Sequence, residues 1–90
     1  MKENQELTEA FGFKVGQKVR ILEETMGSDH EDIEHVVAAG ATGTIEIIEV
    51  LRAQGTAFHV AIPVDDTNER HIINVFDERD GPITNFLEAL

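Results

Sequence analysis

Four stretches of this chain read as short strands, each bounded by glycine or by a polar cluster. A period of two marks a half-buried strand, because successive side chains of an extended backbone point to opposite faces. In FKVGQKVRIL, Val19 and Ile21 alternate with Lys18 and Arg20, after a tight turn at Gly16. In GATGTIEIIEVL, Ile45, Ile47 and Leu51 are expected to share a face. Gly40 and Gly43 are expected to turn with positive φ, and the Ile47–Ile48 pair breaks the alternation as a bulge does. AFHVAIPV places Phe58, Val60, Ile62 and Val64 on one side and Ala57, His59 and Ala61 on the other. Pro63 cannot donate to a ladder, which gives this strand a free edge. RHIINVF supplies the last strand.

These stretches predict strands near 17–22, 42–51, 57–64 and 70–76, joined by polar hairpins at 52–56 and 65–69. Helices are predicted at both ends. Near the start, Asn4 is placed to cap, Leu7, Ala10 and Phe11 recur at helical spacing, and Gly12 stops the turn. Near the end, DERDGP turns the chain, with Asp80 as N-cap and Pro82 in the first turn. Ile83, Phe86, Leu87 and Leu90 then line one face of a helix over 82–89. Between the first two strands, 23–40 has no steady period and is expected to be a long exposed excursion with one helical turn near 32–39. The expected fold is mainly β: a small antiparallel barrel with short N-terminal and C-terminal helices. Residues 1–12 form the tail and 13–90 a single domain. The expected core is Val19, Ile21, Ile45, Ile47, Phe58, Val60, Ile62, Ile73 and Val75.

Composition narrows the function classes. Ninety residues suffice for one domain with a small core. No apolar run reaches the roughly 18 residues of a membrane span. The acidic opening MKENQELTEAF is unlike a signal peptide, and the absence of cysteine removes disulfides and thiolate chemistry. A soluble, cytoplasmic protein is expected. Eighteen acids against seven bases give a net charge of −11. That charge repels phosphate backbones and anionic lipid, so direct nucleic-acid or membrane binding is not expected.

The acids are concentrated. Glu23, Glu24, Asp29, Glu31, Asp32 and Glu34 crowd one stretch with no base among them, close in sequence to Lys18 and Arg20. SDHEDIEH carries ligand-capable side chains, but a zincin helix needs histidines at i and i+4, whereas His30 and His35 stand five apart. About 140° then separates the two rings on a helix, so no metal site is expected. DDTNE at 65–69 lacks the spaced acids and central glycine of a calcium loop. GATGT lacks the Lys-Ser/Thr end of a phosphate loop, the one serine, Ser28, has nothing to orient it, and His59 and His71 read as half-buried strand residues. Neither cofactor nor catalysis is expected.

FKVGQKVRIL, a long loop, GATGTIEII and then FHVAIPV together resemble SH3-like barrels that open "VGDRVRV" and continue "GxxGxV". KOW-type domains, the variable chain of ferredoxin–thioredoxin reductase and the barrel of the nitrile hydratase β subunit share this pattern over about residues 13–76. The resemblance implies a non-catalytic module that docks on another protein. KOW domains often meet nucleic acid through basic loops; the loops here are acidic. The expected function is therefore a protein-binding module: an accessory subunit, adaptor or regulator. Its partner contacts are expected at Asp29, His30, Glu31, Asp32, Glu34 and His35. The alternative is a mimic of nucleic acid that inhibits a DNA- or RNA-binding protein, since 23–34 and 65–80 hold twelve of the eighteen acids.

Overall fold

A computed structural model of the chain describes residues 5–51, 55–64 and 70–90. Every strand pairing among the described residues is antiparallel. The main sheet joins β1 (Gln5–Leu7), β4 (Lys18–Ile21), β7 (Thr42–Leu51), β8 (Gly55–Pro63), β9 (His71–Asp77) and β10 (Leu87–Ala89). The order is β10-β4-β7-β8-β9, with β1 on the far half of β7. Two small hairpins complete the domain: β2 (Glu9–Ala10) with β3 (Phe13–Lys14), and β5 (Thr25–Ser28) with β6 (Glu34–Val37).

All four predicted strands form, but the sheet does not close. Its end strands, β9 and β10, do not pair with each other, so the described residues make an open sheet rather than a barrel. Neither predicted helix forms among them. Residues 5–7 and 9–10 are strand instead of helix, with a bend at Thr8, and Asn4 lies outside the described residues. At the other end, a 3₁₀ turn at Ile83–Asn85 leads into β10. An eight-residue helix gains little in isolation. By contrast, Leu87–Ala89 pairs with Ile21–Val19, giving the backbone of β4 a partner on its second side. The spacing that resembled a helix face buries Ile83 and Leu87 all the same, while Leu90 stays exposed. The 32–39 helical turn is likewise replaced by β6. Asp77 caps a 3₁₀ turn at Glu78–Asp80, accepting from the Arg79 amide at 3.0 Å; the Asp80 side chain and the 65–69 tip lie outside the described residues. Among the described residues no helix is long and apolar enough to cross a membrane.

The core forms where the inward faces of β4, β7, β8 and β9 meet Phe13, Val37 and Ile83. Val19, Ile21, Ile45, Phe58, Val60 and Ile62 are buried as expected. Ile47, Ile73 and Val75 are not: they are 37%, 48% and 48% exposed. The register explains each one. A bulge between Ile45 and Ile47 places Glu46 as an extra residue, which turns Ile47 outward and Ile48 inward. On β9 the inward set is Ile72, Asn74 and Phe76, because they pair with the inward residues Ile62, Val60 and Phe58. Phe58 sits at the centre, with the Phe13 ring edge-on at 5.6 Å.

Gly43 is not a positive-φ turn residue. It lies within β7, where a Cβ would stand 2.8 Å from the Ala61 carbonyl oxygen and 2.8 Å from Val60 Cγ1. Close approach of β8, not backbone conformation, requires glycine here. Gly40 does turn with φ 98.

The bulge makes two adjacent isoleucines energetically unlike. Ile48→Ala should cost about 2–5 kcal/mol through the cavity it leaves, and Ile47→Ala less than about 1 kcal/mol. Urea denaturation of the two variants checks this; equal losses would place the bulge elsewhere.

Candidate functional site

The acidic excursion is a hairpin. Thr25–Ser28 pairs with Glu34–Val37, in the register Thr25 with Val37, Met26 with Val36, Gly27 with His35 and Ser28 with Glu34. His30, Glu31 and Asp32 make the connection. Asp32 N–H donates to the Asp29 carbonyl at 3.0 Å, and Asp29 N–H donates to the Ile33 carbonyl at 3.0 Å. Asp32 takes φ 62, the left-handed residue that closes a three-residue hairpin loop. Aspartate tolerates that conformation better than most residues with a Cβ.

Asp29 holds this geometry. Its side chain is fully buried, and a buried carboxylate must find donors. Oδ1 accepts from the Glu31 amide at 2.8 Å and from the Ile33 amide at 3.1 Å. Oδ2 accepts from His35 Nε2 at 2.7 Å and from Arg70 Nη1 at 3.2 Å. Four donors fill the four acceptor positions of a carboxylate. Arg70 also pairs with Glu31 through its second terminal nitrogen. The base that the acidic stretch lacks locally thus arrives from forty-one residues further along the chain.

A second clamp lies nearer the base of the hairpin. Asn74, on the inward side of β9, donates from Nδ2 to Thr25 Oγ1 and, at 3.0 Å, to the Met26 carbonyl. Gly27 is small for this contact: a Cβ there would stand 2.8 Å from Asn74 Oδ1 and 3.4 Å from Ile72 Cβ. The hairpin is therefore fixed to β9 at its base by Asn74 and at its tip by Arg70.

The six residues expected to meet a partner divide in two. Asp29, fully buried, and His35, half-buried, face inward and hold the hairpin. Glu31 is half engaged by Arg70. His30, Asp32 and Glu34 are exposed, with the His30 side chain 67% accessible. Among the described residues no three His, Asp or Glu side chains converge as a metal site would require. His59 is half-buried and its Nε2 lies 2.8 Å from Glu49 Oε1 on the neighbouring strand β7.

Sequence reasoning missed the apolar half of the hairpin. Met26 and Val36 pair across the strands on the outward face and are 52% and 64% exposed. Ile33 beside the tip is also exposed. The alternation Thr25-Met26-Gly27-Ser28 was the available signal, hidden by two small residues. Arg70 had none, since its partners are distant in sequence.

Comparison with protein-family models, with curated proteins and with solved structures gave no match for this chain.

His35, foremost, holds the Asp29 carboxyl well below its ordinary value; the Glu31 and Ile33 amides and Arg70 add to this, and burial opposes it. The folded state therefore favours the ionised form. The stabilisation is complete above the unfolded value of about 4 and is lost as pH falls below it, where the unfolded chain binds the proton more readily. Denaturation midpoints from pH 6 to pH 3 should fall steeply in the wild type and less steeply in Asp29→Asn, which starts less stable at pH 6. Parallel curves would remove Asp29 from that role. Gly27→Ala, which drives a methyl onto the Asn74 amide, should cost about 1–3 kcal/mol by the same measurement.

Proposed function

We propose that this chain is a non-catalytic protein-binding module, an accessory subunit or regulator, whose docking element is the β5–β6 hairpin. One observation carries this: the Met26–Val36 pair is exposed on the outer face of a hairpin pinned from behind by Asp29, Arg70 and Asn74. Prior pinning matters because a rigid element loses less entropy when it binds. Ser28 and Glu34 continue the same outward face, and Asp32 and His30 crown the tip. An apolar pair beside carboxylates fits a partner that offers an apolar pocket bordered by Lys or Arg. Binding energy would come from Met26 and Val36, and association rate and selectivity from the acids.

Placement of a long hairpin between β4 and β7, with the glycine-punctuated strands around it, supports assignment to the SH3-like class. That class hosts many functions, so the hairpin surface rather than the fold carries the functional conclusion. A nucleic-acid mimic needs dense charge alone and gains nothing from an exposed Met–Val pair.

The test places a photo-crosslinking residue at position 36 and, as a control, at the exposed position of Val15, and identifies the protein captured from the native host. Capture from 36 and not from 15 is expected. Against that partner, Met26→Ser with Val36→Ser should raise the dissociation rate about tenfold or more. Neutralising Glu24, Asp32 and Glu34 to the amides should slow association and flatten its salt dependence while folding is kept. If the amide variant abolishes binding, the serine variant has no effect and duplex DNA competes, the chain is instead a mimic.

A further inference from the structure

The outward face of the main sheet is ordered by register into cross-strand rows. Glu6, Glu49, Ala57 and Asp77 form one row at one end. Ile47, His59 and Val75 form the next. Lys18, Thr44, Ala61 and Ile73 form the third. Beyond it Arg20 pairs with Thr42, and His71 with Pro63. One end of this face thus carries Glu6, exposed, and Glu49, which His59 engages at 2.8 Å, with Asp77 buried in the same row; the other carries Lys18, Arg20 and His71, and Ile47, Val75 and Ile73 are exposed between them. Further charges border both ends: Arg79 engages Asp77, and Glu88 engages Arg20 at 2.6 Å.

We infer that this face is the contact surface for a second copy of the same chain, in a two-fold pair of stacked sheets. The self-complementarity of the rows argues for a second copy. A two-fold axis across the strands, between the two central rows, sets each row against its opposite. Glu6 then meets Arg20 of the other copy, and Val75 meets Ile73. Each contact occurs twice, as an isologous interface requires. Sheets stacked face to face keep their strands within about 30°, which this arrangement permits. Four rows about 7 Å apart on four strands about 4.8 Å apart cover about 20 by 15 Å. That is well under the roughly 800 Å² per partner of a standard interface, so the pair is weak. A dissociation constant on the order of 100 µM is expected.

Sedimentation equilibrium from 10 µM to 1 mM tests this, at about 150 mM salt, where a Debye length of about 8 Å damps repulsion between the net charges. A monomer–dimer equilibrium is expected, with dilution shifts in amide spectra centred on Ile47, His59, Ile73 and Val75. Val75→Lys should weaken it at least tenfold, with an otherwise unchanged spectrum showing that the variant is folded. Glu6→Arg and Arg20→Glu should each weaken it, and the two together should restore it. Val36→Ser, on the hairpin, should leave it unchanged. A chain monomeric at 1 mM, shifts confined to the hairpin, or association that survives Val75→Lys would overturn the inference and leave the face to a different chain.

Discussion

A buried carboxylate needs donors, and the donors that satisfy Asp29 come from three parts of the chain. Two are amides of its own loop, one is a histidine across the hairpin, and one is the guanidinium that precedes β9. Loss of the carboxylate would therefore do more than loosen a turn. It would leave the Glu31 and Ile33 amides without an acceptor, uncouple His35 from the tip and release Arg70. Asn74 holds the base of the hairpin against β9, but the position of the tip depends on that one group remaining ionised.

The second constraint is the extra residue in β7. By inserting Glu46, the bulge moves the inward position from Ile47 to Ile48 and leaves Ile47 on the outer face beside Val75 and Ile73. A small domain would ordinarily spend such residues on its core. Here β8 is buried on one side by Phe58, Val60 and Ile62, while on the other Ala57 and Ala61 are small enough to be covered by their neighbours. The outer face therefore keeps its apolar character without bulk, with charges at its two ends.

The four main strands were legible in the sequence because their alternation is local. Register was not. Ile72-Ile73 and Ile47-Ile48 each offer two equivalent apolar residues, and only the pairing to β8 decides which one is buried. The terminal helix was misread because PITNFLEAL has helical spacing but too few residues to form a helix without packing, while β4 had an unpartnered edge. Of the candidate site, the acids were legible and their roles were not. Asp29 and Glu34 look alike in sequence, yet one is buried among four donors and the other is exposed; the difference comes from Arg70 and His35, and Arg70 is far away along the chain. Asn74 reads as an ordinary polar residue in a strand until Gly27 and Met26 are brought against it.

Amide hydrogen exchange at the hairpin tip bears most directly on the central claim, that a buried Asp29 carboxylate holds the acidic hairpin rigid. The Glu31 and Ile33 amides lie in an exposed loop and would exchange quickly if solvent were their acceptor. At neutral pH both are predicted to be protected in the wild type. In Asp29→Ala both should lose that protection, while the Phe58 and Val60 amides at the centre of the sheet keep theirs. Exchange of Glu31 and Ile33 at unprotected rates in the wild type, or protection that Asp29→Ala leaves intact, would contradict the account.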